Sequence, residues 1–225
     1  MSTALDHISS HILTQLDLHR ATHSILPLFV ALQGPQGSGK SYLSDLLHTH
    51  LSAPPHSLRL AVLSIDDLYL PHPALLALAS THPTNPLWRG RGQPGTHDIE
   101  LGEKILATLK QGQGEVEIPR FDKSLYNGEG DRLPMDGSGV VVNGPLDVVI
   151  LEGWCVGFYP IEEEEVGRRW DGVWEVERER LGLAAYSAEN ILEVNRKLKE
   201  YVRMWSFFDV FVKVRASSLH RITSC

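Results

Sequence analysis

Residues 34–41 read Gly-Pro-Gln-Gly-Ser-Gly-Lys-Ser, which has the spacing GxxxxGK[ST]. Glycines at these places let successive backbone N–H groups turn inward around an anion with no Cβ in the way. A helix starting at the lysine adds the positive end of its dipole. Lys40 supplies a charge for the β and γ phosphates of a nucleotide such as ATP, and Ser41 offers a hydroxyl to Mg²⁺. Gly34, Gln36, Gly37, Ser38, Gly39, Lys40, Ser41 and Tyr42 are therefore the residues expected to wrap the nucleotide. The alternative is a chance glycine turn. Against it, an apolar run over 28–32 precedes the turn and an amphipathic pattern follows it. The cradle alone serves a kinase, an ATPase or a nucleotide switch equally well.

Phosphoryl transfer to a hydroxyl needs one carboxylate near the acceptor and another near the metal. In an open parallel sheet, ligands sit beyond the carboxyl ends of the strands. Two apolar runs end in acids: "LSIDD" at Asp66 and Asp67, and "VVILEG" at Glu152. Adjacent residues of an extended chain face opposite sides, so one aspartate should meet the phosphates squarely. Glu152 occupies the place of a water-mediated Mg²⁺ partner beside Ser41. The bland reading is that these acids solvate strand ends. Two further segments, "RGRGQPGTHD" and "IPRFDKSLYNGEGDR", concentrate Arg, His, Lys and Tyr donors among glycines and prolines. Such donors suit a small carboxylate or phosphate, with arginine binding it bidentately. An ordinary exposed loop has the same composition, so both readings stand.

These groups need a scaffold. Leu5, Ile8, Ile12 and Leu16 recur at helical steps, as do Leu43, Leu46, Leu47 and Leu51 up to Pro54. Wholly apolar runs at 28–32, 58–65, 146–153 and 207–214 read as buried parallel strands. A short helix is expected at 74–80, and Asp98 is placed to cap another that ends at Gly112. "EVEIP" reads as a short strand and 122–145 as a long loop. Residues 161–182, with the run "EEEE", read as a surface insertion. Ile191, Val194, Leu198, Tyr201 and Val202 mark the last helix. The sum is an α/β fold, a three-layer α/β/α sandwich with a mainly parallel sheet ordered 2-3-1-4. It forms one domain over 1–225: an N-terminal helix within 1–24, a core over 28–214 and an irregular tail at 216–225.

With 225 residues and a net charge of -7, the chain is long enough for one sizeable core and too acidic for a general nucleic-acid grip. Its apolar stretches are too short to cross a bilayer. Two cysteines, Cys155 and Cys225, make no disulfide framework, and the eleven histidines form no HExxH pair or Cys/His cluster, which argues against a structural zinc. Cys155 reads as a small apolar filler. The N-terminus lacks the basic start and apolar core of a secretory signal. A cytoplasmic protein with a small-molecule partner, and neither nucleic acid nor membrane, is the expectation. The pattern specifies no oligomeric state.

The segments "GPQGSGKS", "SIDDLYL", "NPLWRGRGQPGTHD", "IPRFDKSLYNGEGDR", "VVILEGWCVGF" and "NRKLKEYVRMWSFFDVFVKV" together resemble the P-loop small-molecule kinases of the uridine kinase, phosphoribulokinase and pantothenate kinase group, and most of all the plant-type D-glycerate kinases and their fungal relatives. The resemblance implies ATP- and Mg²⁺-dependent phosphorylation of a metabolite hydroxyl, with D-glycerate a candidate acceptor. It makes Asp66 the general base, within an Asp-x-aromatic-Tyr element that here carries Leu68 and Tyr69. Asp67 becomes a supporting residue and Glu152 the acid after the third strand. Arg91 and the run Gly95, Thr96, His97 and Asp98 match the acceptor loop. Arg120, Lys123 and Tyr126 match a second acceptor-side segment. Members of the group continue past "FVKVRA" into an arginine-bearing lid and a further strand, whereas this sequence stops at "SSLHRITSC". The resemblance therefore implies a C-terminally truncated sheet with 207–214 as an apolar edge, and weakened turnover. A nucleotide-binding module with little catalysis is the alternative, as is a kinase for a nucleoside or pantothenate-like acceptor.

Overall fold

A computed structural model describes residues 3–22, 26–112 and 114–215. The tail at 216–225 and Cys225 lie outside the described residues. In chain order the elements are α1 (Ala4–Thr22), β1 (Leu28–Gln33), α2 (Lys40–Ser52), β2 (Leu60–Ser64), α3 (His72–Thr81), α4 (Ile99–Gln111), β3 (Glu115–Ile118), β4 (Phe121–Asp122), β5 (Asp131–Arg132), β6 (Val140–Asn143), β7 (Val148–Gly153), α5 (Glu163–Trp170), α6 (Glu175–Arg180), α7 (Ala188–Trp205) and β8 (Val210–Lys213).

The main sheet runs β2-β7-β1-β8, all parallel, with Val30 opposite both Ile150 and Val210. Strands β1 and β7 are buried at every position, which is why their sequences are apolar up to Gln33 and Glu152 at their carboxyl ends. Period-two alternation divides the side chains of β1 between two cores. Leu28, Val30 and Leu32 pack with Ile12 and Leu16 of α1 and Leu43, Leu47 and Leu51 of α2. Phe29 and Ala31 pack on the other face with Ile105, Leu106 and Leu109 of α4 and Leu198, Tyr201 and Met204 of α7. The expected three layers and strand order are present. Among the described residues β8 pairs with β1 alone, and its Phe211 is half exposed.

Residues 122–145 are not a plain loop. They contain β5 and β6, and β4 begins just before them. β6 pairs antiparallel with β3, and β4 with β5. These strands escape the hydrophobic pattern because β4 and β5 hold two residues each and Val140 and Val141 face solvent. The insertion at 161–182 folds into α5 and α6. Val166 is buried, the Arg196 guanidinium of α7 grips Glu163 at 2.6 Å, and Asn195 exchanges two hydrogen bonds with the Ile161 backbone. Cys155 is fully buried, and that burial pushes its thiol up to about 12, so it serves as filler. Among the described residues no helix is long and apolar enough to cross a membrane.

Candidate active site

The bend between β1 and α2 requires glycine at Gly37 and Gly39, whose φ values of 74° and 79° lie in the left-handed region. Lys40 opens α2 and is 8% exposed; its ammonium donates back to the Pro35 carbonyl at 2.9 Å. The Ser41 hydroxyl donates to Glu152 Oε1 at 2.9 Å. The Ser38 hydroxyl and the Trp154 indole N–H are buried with no partner among the described residues, and Trp154 lines a cavity of about 290 Å³ with Gln36, Lys40 and Ser41. A hollow lined by the Lys40 ammonium, the Ser41 hydroxyl and Trp154 with its unpartnered N–H suits a polyanion. Tyr42 projects from the first turn of α2 with its side chain mostly exposed.

Glu152 ends β7 at 4% exposure. Burial pushes its carboxyl above the ordinary range, opposed by hydrogen bonds from Ser41 and Ser64 and by the Lys40 charge. A desolvated carboxylate paired with a hydroxyl is a donor set that suits a hard divalent cation. The raised pKa also has a thermodynamic sign. The folded state holds the Glu152 proton more tightly than the unfolded chain does, so stability falls as pH climbs from the unfolded value through the folded one. Above the folded value the full cost is present. Glu152→Gln is thus expected to raise the melting temperature of the protein at pH 7.5. Thermal melts check this, and a variant less stable than the parent overturns it.

Asp66 and Asp67 lie on a 3-10 turn, Ile65–Leu68, that follows β2, and not on extended chain. The two side chains still part, but the turn separates them in place of strand alternation. Asp66 Oδ1 accepts from the Tyr69 hydroxyl at 3.2 Å and Oδ2 from the Lys123 ammonium at 2.6 Å. Asp67 turns to the adjacent hairpin, accepting from the Phe121 N–H at 2.9 Å with the Arg120 guanidinium at 3.7 Å. Burial lifts its carboxyl, with the Phe121 N–H and Arg120 pulling the other way.

Beside Asp66 opens a second cavity of about 470 Å³, walled by Tyr69, His72, Arg89, Arg91 and Lys123. Arg91 lies over the Phe121 ring and donates to the Gly128 carbonyl at 2.6 Å and to that of Glu129. Neither Arg89 nor Arg91 has a carboxylate partner among the described residues. His72 bonds Glu129 through Nε2 at 2.6 Å and stacks on Tyr126 at 3.8 Å, which pins the hairpin to the start of α3.

Gly95, Thr96, His97 and Asp98 stand behind this wall and do not line it. The Gly95 N–H donates to the Tyr201 hydroxyl at 2.9 Å, and Thr96 bonds within its own loop to Gly92 and Gln93. His97 is fully enclosed; its Nδ1 meets the Tyr201 hydroxyl at 2.7 Å and its ring stacks on Tyr69 at 4.4 Å. Burial drives its imidazole down to about 3, so the ring is neutral at physiological pH. Asp98 caps α4 through the Leu101 N–H and pairs with Arg132 at 2.7 Å. The same loop is stitched to α7 by Asn85, which donates to the Asn190 carbonyl and to Glu193, while Asn190 donates back to Thr84. Sequence reasoning gives no site role to His72 or Arg89 and places Tyr201 only in the apolar stripe of α7. Arg89 lay within a segment already marked by its donors; nothing local marked the other two.

No family model matches the chain. It is 43% identical over 141 residues to a Saccharomyces cerevisiae protein named Probable ATP-dependent kinase TDA10, and 33% identical over 202 residues to Uncharacterized kinase mug58 of Schizosaccharomyces pombe. Those alignments take in 60% and 87% of the chain, which spans 48% and 67% of the respective relatives. Among solved structures, the D-glycerate 3-kinase of Cryptococcus neoformans superposes with a TM-score of 0.85 at 36% identity, over 97% of this chain and 75% of that one.

Proposed function

The chain belongs to the P-loop kinases that include fungal D-glycerate 3-kinase, and from that we propose that it transfers the γ-phosphoryl group of ATP to a hydroxyl of a small acidic metabolite, D-glycerate being the acceptor that fits best. One observation carries the reading. Arg89 and Arg91, without carboxylate partners, face a cavity that Asp66 shares with the phosphate cradle. A guanidinium left without a counter-charge at a cavity wall is suited to an anionic guest. A hydroxy acid held there by its carboxylate would present its hydroxyl to Asp66.

Asp66 takes the proton of that hydroxyl, and the amides of residues 34–41 with Lys40 hold the phosphates. Ser41 and Glu152 would hold Mg²⁺, which would supply charge neutralisation to the phosphates. Two cysteines in 225 residues suit a reducing compartment such as the cytosol.

The test is a coupled ADP assay with ATP, Mg²⁺ and a panel of D-glycerate, pantothenate and uridine. ADP formation that depends on D-glycerate, with a phosphoglycerate product identified by mass, is the expected result. Turnover with uridine alone would overturn the acidic acceptor. ATP binding with no transfer to any acceptor would mark a nucleotide-binding module.

A further inference from the structure

We propose that Lys123 is a catalytic residue of phosphoryl transfer, one that exchanges the Asp66 carboxylate for the γ-phosphate when nucleotide enters. The inference rests on the kinase reading above and adds to it a role that neither the cradle nor the acceptor wall supplies.

Three hollows meet around Asp66: the phosphate cavity, the acceptor cavity, and a third of about 330 Å³ that reaches Ser41, Asp67 and Glu152. Lys123 lines all three. It follows directly on β4, so it reaches the phosphate cavity from a different part of the chain than Lys40. Among the described residues no cationic side chain other than these two lines that cavity.

Each oxygen of Asp66 accepts one hydrogen bond, Oδ1 from Tyr69 and Oδ2 from Lys123. Each oxygen keeps a second lone-pair site, but an acceptor hydroxyl approaching either one competes with the donor already there. The donor that gives way is the one held less firmly. Tyr69 is 2% exposed and clamped between His97 and Phe121, whereas the Lys123 side chain is 54% exposed on a flexible four-carbon stem. Lys123 is the mobile partner. An ammonium that can choose between one carboxylate and a terminal phosphate of higher charge goes to the phosphate. Its departure frees Oδ2, and its arrival adds a counter-charge where the transferring group gathers negative charge.

The exchange leaves the chemistry balanced. The acceptor oxygen bonds to the γ-phosphorus and its proton passes to Asp66. The bond from the γ-phosphorus to the bridging oxygen breaks, and its electron pair leaves with ADP. Lys123 stays an ammonium throughout.

The experiment is calorimetric titration of the parent, Lys123→Met and Lys123→Arg with Mg²⁺-ADP and with the Mg²⁺ complex of the β,γ-imido analogue of ATP, alongside steady-state rates. Lys123→Met should weaken the analogue by about tenfold, the worth of one hydrogen bond to a charged group, and leave ADP unchanged. Its kcat should fall by about 10²-fold. Lys123→Arg should restore most of the analogue affinity. Equal losses for both nucleotides, or a loss for neither, overturn the exchange. So does a raised acceptor KM at unchanged kcat, which would make Lys123 an acceptor ligand only. A parent chain that binds neither nucleotide overturns the kinase reading itself, and this inference with it.

Discussion

Under the proposed kinase reading, Asp66→Asn should lower turnover by about 10²- to 10⁴-fold, the span typical of a lost general base, without weakening nucleotide binding. Asparagine keeps the shape of the side chain and its carbonyl still accepts from Tyr69, so the 3-10 turn and the stack on His97 survive. What disappears is the basic oxygen that faces both cavities. Stopped assays with saturating ATP and acceptor, beside nucleotide titrations, separate these effects. A variant that turns over within tenfold of the parent would mean that the proton leaves by another route. Asp67→Asn is the natural control. Asp67 faces the Phe121 backbone and Arg120, so its loss should loosen the hairpin and raise the acceptor KM more than it depresses kcat.

Lys40→Ala is the second large effect: nucleotide affinity falls and turnover drops by about 10³-fold, as expected when a preorganised donor to the transferring group is removed. Lys40 already sits within the bend. Its stem is buried and its ammonium rests on the Pro35 carbonyl within the same bend. Little reorganisation stands between that position and a phosphate. Alanine leaves the bend's glycine geometry alone, so circular dichroism and urea unfolding should match the parent closely. Retained turnover would place the activity in a contaminant.

Most of the scaffold could be read from pattern because burial on both sides leaves no ambiguity. The buried runs of β1 and β7, the caps Asp98 and Gly112 of α4, and the apolar stripe of α7 each carry a local signal. The cradle and Glu152 were equally visible, since their chemistry is written in consecutive residues or at a strand end. The acceptor side was less legible. His97 looks like a polar ligand in a glycine-rich loop, and only the fold reveals that Tyr201, on a helix a hundred positions later, encloses it. β6 was hidden for a similar reason: Val140 and Val141 are exposed, and the strand's partner, β3, lies well upstream. Contacts between distant segments leave no periodic trace in either one.

The two sides of the acceptor cavity differ in how they are fastened. The segment from Asn85 to Asp98 is bolted to α7 and α4 through Asn85, Gly95, His97 and Asp98, with Trp88 closing its interior against the Pro94 carbonyl. The opposite side is a two-residue-deep hairpin whose base is fastened by Asp67 and by the Arg132–Asp98 pair, while residues 123–129 at its tip are exposed and held through His72 and Arg91. A guest entering between them therefore meets one jaw whose entropy was already surrendered when the chain folded. The other still has freedom to lose, so whatever selectivity shape confers comes from the rigid jaw, and whatever adaptation the protein makes to its guest comes from the loose one.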